Sequence, residues 1–556
     1  MNKKPNHQSI LNEKLILISF FLLIFISVLF FFKDYGVHIE EKFHRQNGLY
    51  WLNYIATKFD LDNLSSITQS KLSNIYDYTL SPVKKYNKYG VILDLPMAAI
   101  EILFKLENIN NIYKIKHFLS FCIFLISSFY FYLILKKRFK NIFICLLGTF
   151  FFITSPRIFG DSFLYKDVLF LSIINIAIYY LIETIDSLDK KNLKNLILFS
   201  AFSAMAFNLR VFALVLPISF FFIILIKNFY IKKTYNYLTI YSIYLLLFFL
   251  FIYFFSPYLW SNPLENFLQI FYSLKKDLIG PEIKILFNGE YIYNRYVPDT
   301  YILTWIFITT PIIIIILFIP GYIFYLKRFL KRFFQLKEVS YFNDLWRGKK
   351  EEIDFLMFFF LSSYFLLFLI FNSPFYNGWR LVYFLNIFII YFFTYAIYLI
   401  NCYLKKKFIK IFNILLLISA FYNIYILLIF HPFQSLYFNE IKKNNIYLNY
   451  EIDYYGLAGK DFFMYLDNLD NSNTIKVSVA SHTPLQRALE AFNLEKQKKF
   501  IIVGQEYQLS NYIFKNNISE VNPKLNKKYD IPNNFVKIKE VKINQILLYE
   551  VFKKIN

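Results

Sequence analysis

Apolar stretches of bilayer-crossing length recur along most of this chain and set its predicted architecture. They cover residues 15–32, 117–135, 141–154, 168–184, 196–208, 211–226, 237–255, 301–326, 354–371, 381–400 and 411–430. The third and fifth are short for a span. The first follows Lys3, Lys4 and Lys14, precedes Lys33-Asp34-Tyr35 and carries no small-residue cleavage site, so it reads as a signal anchor. The stretch 89–106 is ambiguous, because Asp94, Pro96, Glu101 and Lys105 interrupt its apolar run. If it crosses the bilayer, Lys136-Lys137-Arg138 and the later basic clusters fall outside. If it lies on the surface as an amphipathic helix, they all fall on the side of the N-terminus: Lys190, Lys191 and Lys194; Lys227, Lys232 and Lys233; the run from Lys327 to Lys350; and Lys405, Lys406 and Lys407. The positive-inside rule selects the second arrangement. Eleven spans, a cytoplasmic N-terminus and an extracytoplasmic C-terminus are therefore expected.

On that topology the outer side carries a loop at 33–116, a short loop at 155–167, a loop at 257–300 and a tail at 431–556. The tail is long enough to fold alone. It reads as α/β, with strands at 474–480 and 499–504 around a helix at 483–494, then a hairpin at 535–541 and 545–552. The predicted fold class is an α-helical polytopic membrane protein of about eleven transmembrane helices with a small extracytoplasmic α/β domain. The division falls between a membrane domain at 1–430 and the tail at 431–556.

Composition agrees. The 556 residues are 57% hydrophobic, and the composition excludes disorder, a collagen-like fibre and a disulfide scaffold and argues against a single soluble domain. The formal charge of +23 is explained by cytoplasmic loops before nucleic acid, and no RNA- or DNA-binding motif is present. Cys122, Cys145 and Cys402 lie in or beside apolar runs without metal spacing, and the six histidines form no recognisable ligand set, so no tightly bound metal is expected. A Walker A loop, a Rossmann glycine fingerprint, HExxH and a nucleophile elbow are all missing. That excludes nucleotide-powered transport by this chain at the level of motifs.

Ionisable residues at a membrane boundary are costly and so mark candidate chemistry. Asp34 stands two residues beyond the first span, where a carboxylate can accept a proton from an incoming hydroxyl or amine. Glu40 and Glu41 follow it on an amphipathic continuation. The short loop 155–167 holds Arg157, Asp161, Lys166 and Asp167, more charge than a connector needs. Arg210 is the sole charge between Lys194 and Lys227, and Arg380 begins the tenth span. A guanidinium at headgroup level suits a phosphate, which it can grip bidentately, although a snorkelling arginine is the plainer reading of each.

At these residues the chain resembles the polyprenyl- or dolichyl-phosphate-sugar-dependent membrane glycosyltransferases of the GT-C fold, which include protein O-mannosyltransferases and lipid A aminoarabinose transferases. The likeness rests on Asp34, on surface helices around 89–106 and on Pro156-Arg157-Ile158-Phe159 with Lys166-Asp167. It extends to Asn208-Leu209-Arg210-Val211, Tyr376-Asn377-Gly378-Trp379-Arg380 and His431-Pro432-Phe433-Gln434 with Tyr437-Phe438-Asn439. The resemblance implies an inverting transfer of a sugar from a polyprenyl-phosphate donor to an extracytoplasmic protein, lipid or glycan, in a bacterial inner or plasma membrane. It implies Asp34 as general base, Asp161 or Asp167 positioning acceptor or sugar, and Arg210 with Lys166, Arg157 or Arg380 on the lipid phosphate. The family pairs Asp with Glu in its first loop, whereas Tyr35 follows Asp34 here, which leaves Glu40 as the reserve catalytic acid. No tightly bound cofactor is implied, and divalent-metal dependence stays open. The alternatives are a transporter or polymerase of lipid-linked glycans, and a scaffold whose outer domain binds a partner.

Overall fold

The structure is a computed structural model that describes residues 7–75, 90–164, 166–190, 192–230, 237–277, 283–334, 345–371, 374–442, 445–518 and 527–555. Lys3, Lys4, Tyr165, Lys191, Lys232, Lys233, Asn372, Ser373 and the stretch 335–344 lie outside the described residues.

Helices dominate. In chain order they are α1 (His7–Phe31), α2 (Glu41–Lys58), α3 (Asp62–Ile75), α4 (Asp94–Leu103), α5 (Ile109–Phe139), α6 (Ile142–Ile153), α7 (Pro156–Asp161), α8 (Asp167–Asp186), α9 (Leu193–Leu209), α10 (Val215–Tyr230), α11 (Tyr237–Phe255) and α12 (Pro263–Asp277). They continue with α13 (Tyr301–Thr309), α14 (Ile312–Phe334), α15 (Gly348–Phe371), α16 (Asn386–Tyr403), α17 (Lys406–Ile429) and α18 (Ala458–Leu469). Among the described residues eight helical segments are long and apolar enough to cross a membrane: α1, α5, α8, α11, α14, α15, the run Arg380–Tyr403 and α17. Three shorter apolar helices, Ile142–Ile153, Leu193–Leu209 and Val211–Lys227, accompany them. The outward faces of α1, α11 and α17 expose Leu23, Phe30, Leu246, Phe254 and Phe421, a surface suited to lipid and not to water. α8 and α16 are buried among the others. The chain is thus a helical polytopic membrane protein.

Two stretches differ from simple spans. The run 301–326 breaks between α13 and α14, because Pro311 has no N–H to donate and holds Thr310 extended, at φ −101° and ψ 139°. Asn439 repairs the break, its Nδ2 donating to the carbonyls of Phe307 at 2.6 Å and Thr310 at 2.8 Å. Bare backbone groups at membrane depth need such a partner. The ambiguous stretch 89–106 holds α4, whose 10 residues are too short to cross. α4 packs on α2 at Gly48, where any side chain would strike the Asp94 carbonyl. Its acids are paired: Asp94 with Asn47 at 2.6 Å and His44 at 3.2 Å, and Glu101 with Arg45 at 2.7 and 2.8 Å.

Charges sort to the two ends of the bundle. At the end holding the α1 N-terminus, Lys136 meets Glu13, Lys137 meets Glu183 and Asp186, and Lys227 meets Glu352. The centre of this network is Asp354, wholly buried, which accepts from Arg138 at 2.7 and 2.9 Å, Arg328 at 2.9 Å and Tyr391 at 2.6 Å. Deleting one member of a buried ion network strands the others. Asp354→Ala is therefore expected to destabilise the fold by about 3–5 kcal/mol, read as a lowered thermal midpoint in detergent.

The C-terminal segment carries a five-stranded sheet of β3 (Ile475–Val479), β4 (Phe500–Ile502), β5 (Tyr512–Lys515), β6 (Phe535–Ile543) and β7 (Ile546–Lys554). Its order is β4-β3-β5-β7-β6. β3 runs parallel to β4 and β5, and the β6–β7 hairpin turns at Asn544-Gln545, both at positive φ. The predicted single helix at 483–494 is instead a short helix, Leu485–Leu489, with a second following at Leu494–Lys499, and β5 went unread. α18 packs Phe462 and Phe463 against Phe514, Tyr549 and Phe500 of the sheet. A separate hairpin, β1 (Lys284–Phe287) with β2 (Glu290–Tyr293), bridges to Tyr450.

Candidate functional site

The opposite end of the bundle, where α1 ends and α8 begins, collects most of the candidate residues. Pro156 starts α7, at a position where its missing N–H costs nothing. The one and a half turns that follow set Arg157 and Asp161 on one face. Lys166 then takes φ 107°, a conformation that costs a non-glycine residue about 1–3 kcal/mol and clusters at functional sites. It turns the chain so that Asp167 opens α8, where a carboxylate complements the helix dipole.

Asp167 is the hub of an ion cluster. One of its carboxylate oxygens pairs with Arg210 and the other lies 3.6 Å from Arg380, whose second nitrogen donates to Glu40 at 2.9 Å. Lys166 interacts with Glu40, Arg210, Asp167 and Arg380, and its pKa is pushed down, chiefly by burial. Burial alone would raise Glu40, but Arg380 and Lys166 outweigh it and hold this carboxyl well below the usual range. Three cations thus face two carboxylates, one positive charge in excess. His38 backs the cluster, its Nδ1 accepting from the Glu40 N–H at 2.8 Å, and burial pushes its pKa down to about 4. Glu41 ties the same turn to α5 through His117 at 2.8 Å.

Tyrosines from the C-terminal segment complete the site. Asp453 accepts from the N–H groups of Leu457 at 2.8 Å and Ala458 at 3.1 Å, starting α18 and fixing the turn that presents Tyr454 and Tyr455. The Ile39 N–H donates to the Tyr455 carbonyl at 3.2 Å, which draws this turn onto the first loop. The guanidinium of Arg380 lies over the rings of Tyr376, Tyr454 and Tyr455, at 5.3, 5.9 and 5.4 Å. Tyr455 also donates its hydroxyl to Asp161 at 2.9 Å, so one residue joins the ion cluster to α7.

Asp161 is 2% exposed. Burial pushes its pKa up to about 7, despite the opposing pull of Tyr383, Tyr455 and Arg157. The hydroxyls of Tyr455 and Tyr383 both approach the carboxyl; Tyr455 takes Oδ2, and Oδ1 has no partner in hydrogen-bond geometry. Arg157, also 2% exposed, donates from Nε to the Tyr437 carbonyl at 3.0 Å and lies over Trp305 at 5.1 Å and Phe438 at 4.7 Å, leaving Nη1 unpartnered. Glu451, three residues before Tyr454, is buried, and that burial pushes its pKa up to about 8.

Asp34 is placed differently. Its carboxylate meets His431 Nε2 at 2.9 Å and is half exposed, while Lys460 binds the backbone carbonyls of Lys33, Asp34 and Tyr35. Among the described residues it makes no ion pair with Arg210 or Arg380. The structure therefore gathers Glu40, Lys166, Asp167, Arg210 and Arg380, sets Asp161 and Arg157 beside them, and pairs Asp34 with His431 instead of with a cation of the cluster. Glu40 and not Asp34 pairs with Arg380, while Asp34 and Asp161 both act electrostatically on the buried Tyr35 hydroxyl. Reading the sequence named Tyr376 only within the Tyr376–Arg380 segment and missed Tyr383, Tyr454 and Tyr455. Their signal is drowned, because 47 tyrosines are spread along the chain.

Compared with models of known protein families and with curated protein sequences, the chain matches none. Among the described residues no group of three or more His, Cys, Asp or Glu side chains is arranged to hold a metal ion.

Proposed function

We propose that this chain is an inverting membrane glycosyltransferase, which moves a sugar from a polyprenyl-phosphate donor to a hydroxyl acceptor on the extracytoplasmic side. The reading includes eleven spans, a cytoplasmic N-terminus and the C-terminal segment outside. The observation that carries it is the excess cation of the Glu40, Lys166, Asp167, Arg210 and Arg380 cluster beside a buried, half-satisfied Asp161. A phosphate at the head of a membrane lipid neutralises the first, and an acceptor hydroxyl satisfies the second.

In this mechanism Lys166, Arg210 and Arg380 hold the phosphate, with Glu40 and Asp167 orienting the two guanidinium groups. The acceptor oxygen attacks the anomeric carbon as the bond from that carbon to the phosphate oxygen breaks. The electron pair leaves with the phosphate and is stabilised there by the cations. The acceptor proton passes to Asp161, whose raised pKa near 7 suits a general base at neutral pH. Glu40 is held ionised by Arg380 and is a weaker base for it. Asp34, half exposed on His431, takes no part.

The test is glycan analysis by mass spectrometry of a strain lacking the gene. Loss of one sugar from an envelope glycan, with build-up of the polyprenyl-linked donor, is expected; an unchanged profile overturns the reading. Complementation with Asp34→Asn is expected to restore transfer to within threefold of wild type. A loss of a hundredfold or more would return Asp34 to the chemistry.

A further inference from the structure

Arg157 and Asp161 are four residues apart on one face of α7, and each buries a polar atom without a partner. An unsatisfied buried donor or acceptor costs its desolvation energy, and these two are among several such atoms in the described residues. Here the two are complementary in kind: Arg157 Nη1 donates and Asp161 Oδ1 accepts. Their formal charges cancel, whereas the neighbouring ion cluster keeps a positive excess. The cluster asks for an anion, and the pair asks for a neutral group with a donor and an acceptor side by side. Aromatic residues neighbour both. Trp305 and Phe438, in contact with each other, lie against Arg157 from adjacent sides, and the hydroxyl-bearing Tyr383, Tyr454 and Tyr455 are near Asp161.

We infer that the acceptor is a carbohydrate, whose neutral polyhydroxyl ring is held by Arg157 and Asp161 through two adjacent hydroxyls. This rests on the transfer reaction proposed above and names its acceptor class. One hydroxyl donates to Asp161 Oδ1 and is the nucleophile: its proton passes to Asp161 as its oxygen bonds the anomeric carbon and the phosphate leaves onto the cations. The neighbouring oxygen accepts from Arg157 Nη1. A sugar ring also offers an apolar C–H face to the aromatic walls. A serine or threonine side chain brings a single hydroxyl and leaves one of the two protein atoms unsatisfied.

The experiment uses the full chain in nanodiscs, with undecaprenyl phosphate as the lipid-phosphate probe. Methyl hexosides, methyl pentosides, methyl N-acetylhexosaminides and blocked Ser and Thr peptides serve as acceptor probes, read by saturation-transfer NMR. At least one glycoside class is expected to bind, with its Kd raised tenfold or more in both Arg157→Gln and Asp161→Asn. Both variants are expected to keep undecaprenyl phosphate affinity within threefold of wild type, which also reports that they fold. Should Arg157→Gln fail to fold, the near-isosteric Asp161→Asn carries the comparison. Absence of glycoside binding, glycoside binding indifferent to both variants, or peptide binding lost in those same variants overturns the inference. Failure of the wild-type chain to bind undecaprenyl phosphate strikes the transferase reading itself, while the glycoside arm still judges the Arg157–Asp161 site.

Discussion

Asp161→Asn is expected to lower sugar transfer by about 10²–10⁴-fold, the range that a positioned general base contributes, and at the same time to make the protein harder to unfold at alkaline pH. Both effects come from the same burial. With its pKa raised from 3.8 to about 7, Asp161 binds its proton more tightly folded than unfolded. Its contribution to stability is then complete below the unfolded pKa and is lost as pH rises through about 7. By pH 8 the ionised carboxylate costs the folded state on the order of 4 kcal/mol, from three units at about 1.4 kcal/mol each. An asparagine never ionises, so the variant should show a higher thermal midpoint than wild type at pH 8, with the gap closing toward pH 4. Wild-type transfer should rise with pH through about 7 as the base deprotonates. A variant that keeps more than a tenth of the rate removes Asp161 from the base role. A stability gap that ignores pH denies the burial effect.

Arg380→Gln should produce the second large effect. Arg380 touches Glu40 and Asp167 at once and lies over three tyrosine rings, so its loss acts on several groups. Truncating one partner of a buried, hydrogen-bonded charge pair typically costs about 2–5 kcal/mol in binding, or roughly 30- to several-thousand-fold. Undecaprenyl phosphate affinity should fall by at least about 30-fold, and Arg380→Lys should recover part of it, because a point charge lacks the guanidinium fork. Without Arg380, burial dominates at Glu40 and its pKa moves up, so the residual binding acquires a pH dependence that wild type lacks in the same range. Affinity within threefold of wild type in both variants would place the lipid phosphate elsewhere.

Several features of the molecule are readable in one dimension because lipid imposes a local rule. Every backbone group crossing a bilayer must be satisfied within its own helix, so a crossing shows as an unbroken apolar run. That is why the apolar runs at 15–32, 237–255 and 411–430 fall on helices with lipid-suited outer faces. The run at 301–326 reads as one span although it holds Pro311, and the residue that makes the break there tolerable, Asn439, comes 128 residues later. The candidate site shows the same limit. Charge at the boundary singled out Arg157, Asp161, Lys166, Asp167, Arg210 and Arg380 one by one, since an ion beside the membrane is conspicuous wherever it stands. Their partnerships were not readable.

The sequence by itself therefore determined the class of the protein, the position of its apolar helices and the short roll of boundary charges from which a site could be built. Each of these follows from a local balance between burying apolar atoms and hydrating ions. Only the tertiary structure decided that Arg380 meets Glu40 across 340 positions, that Tyr455 reaches Asp161 across 294, and that Asp34 meets His431 across 397. Those pairings depend on which helix ends are packed together, and hydropathy carries no record of it. The strength of the Asp161 burial, and with it the proton affinity that makes it a candidate base, is a property of the neighbours that fold around it.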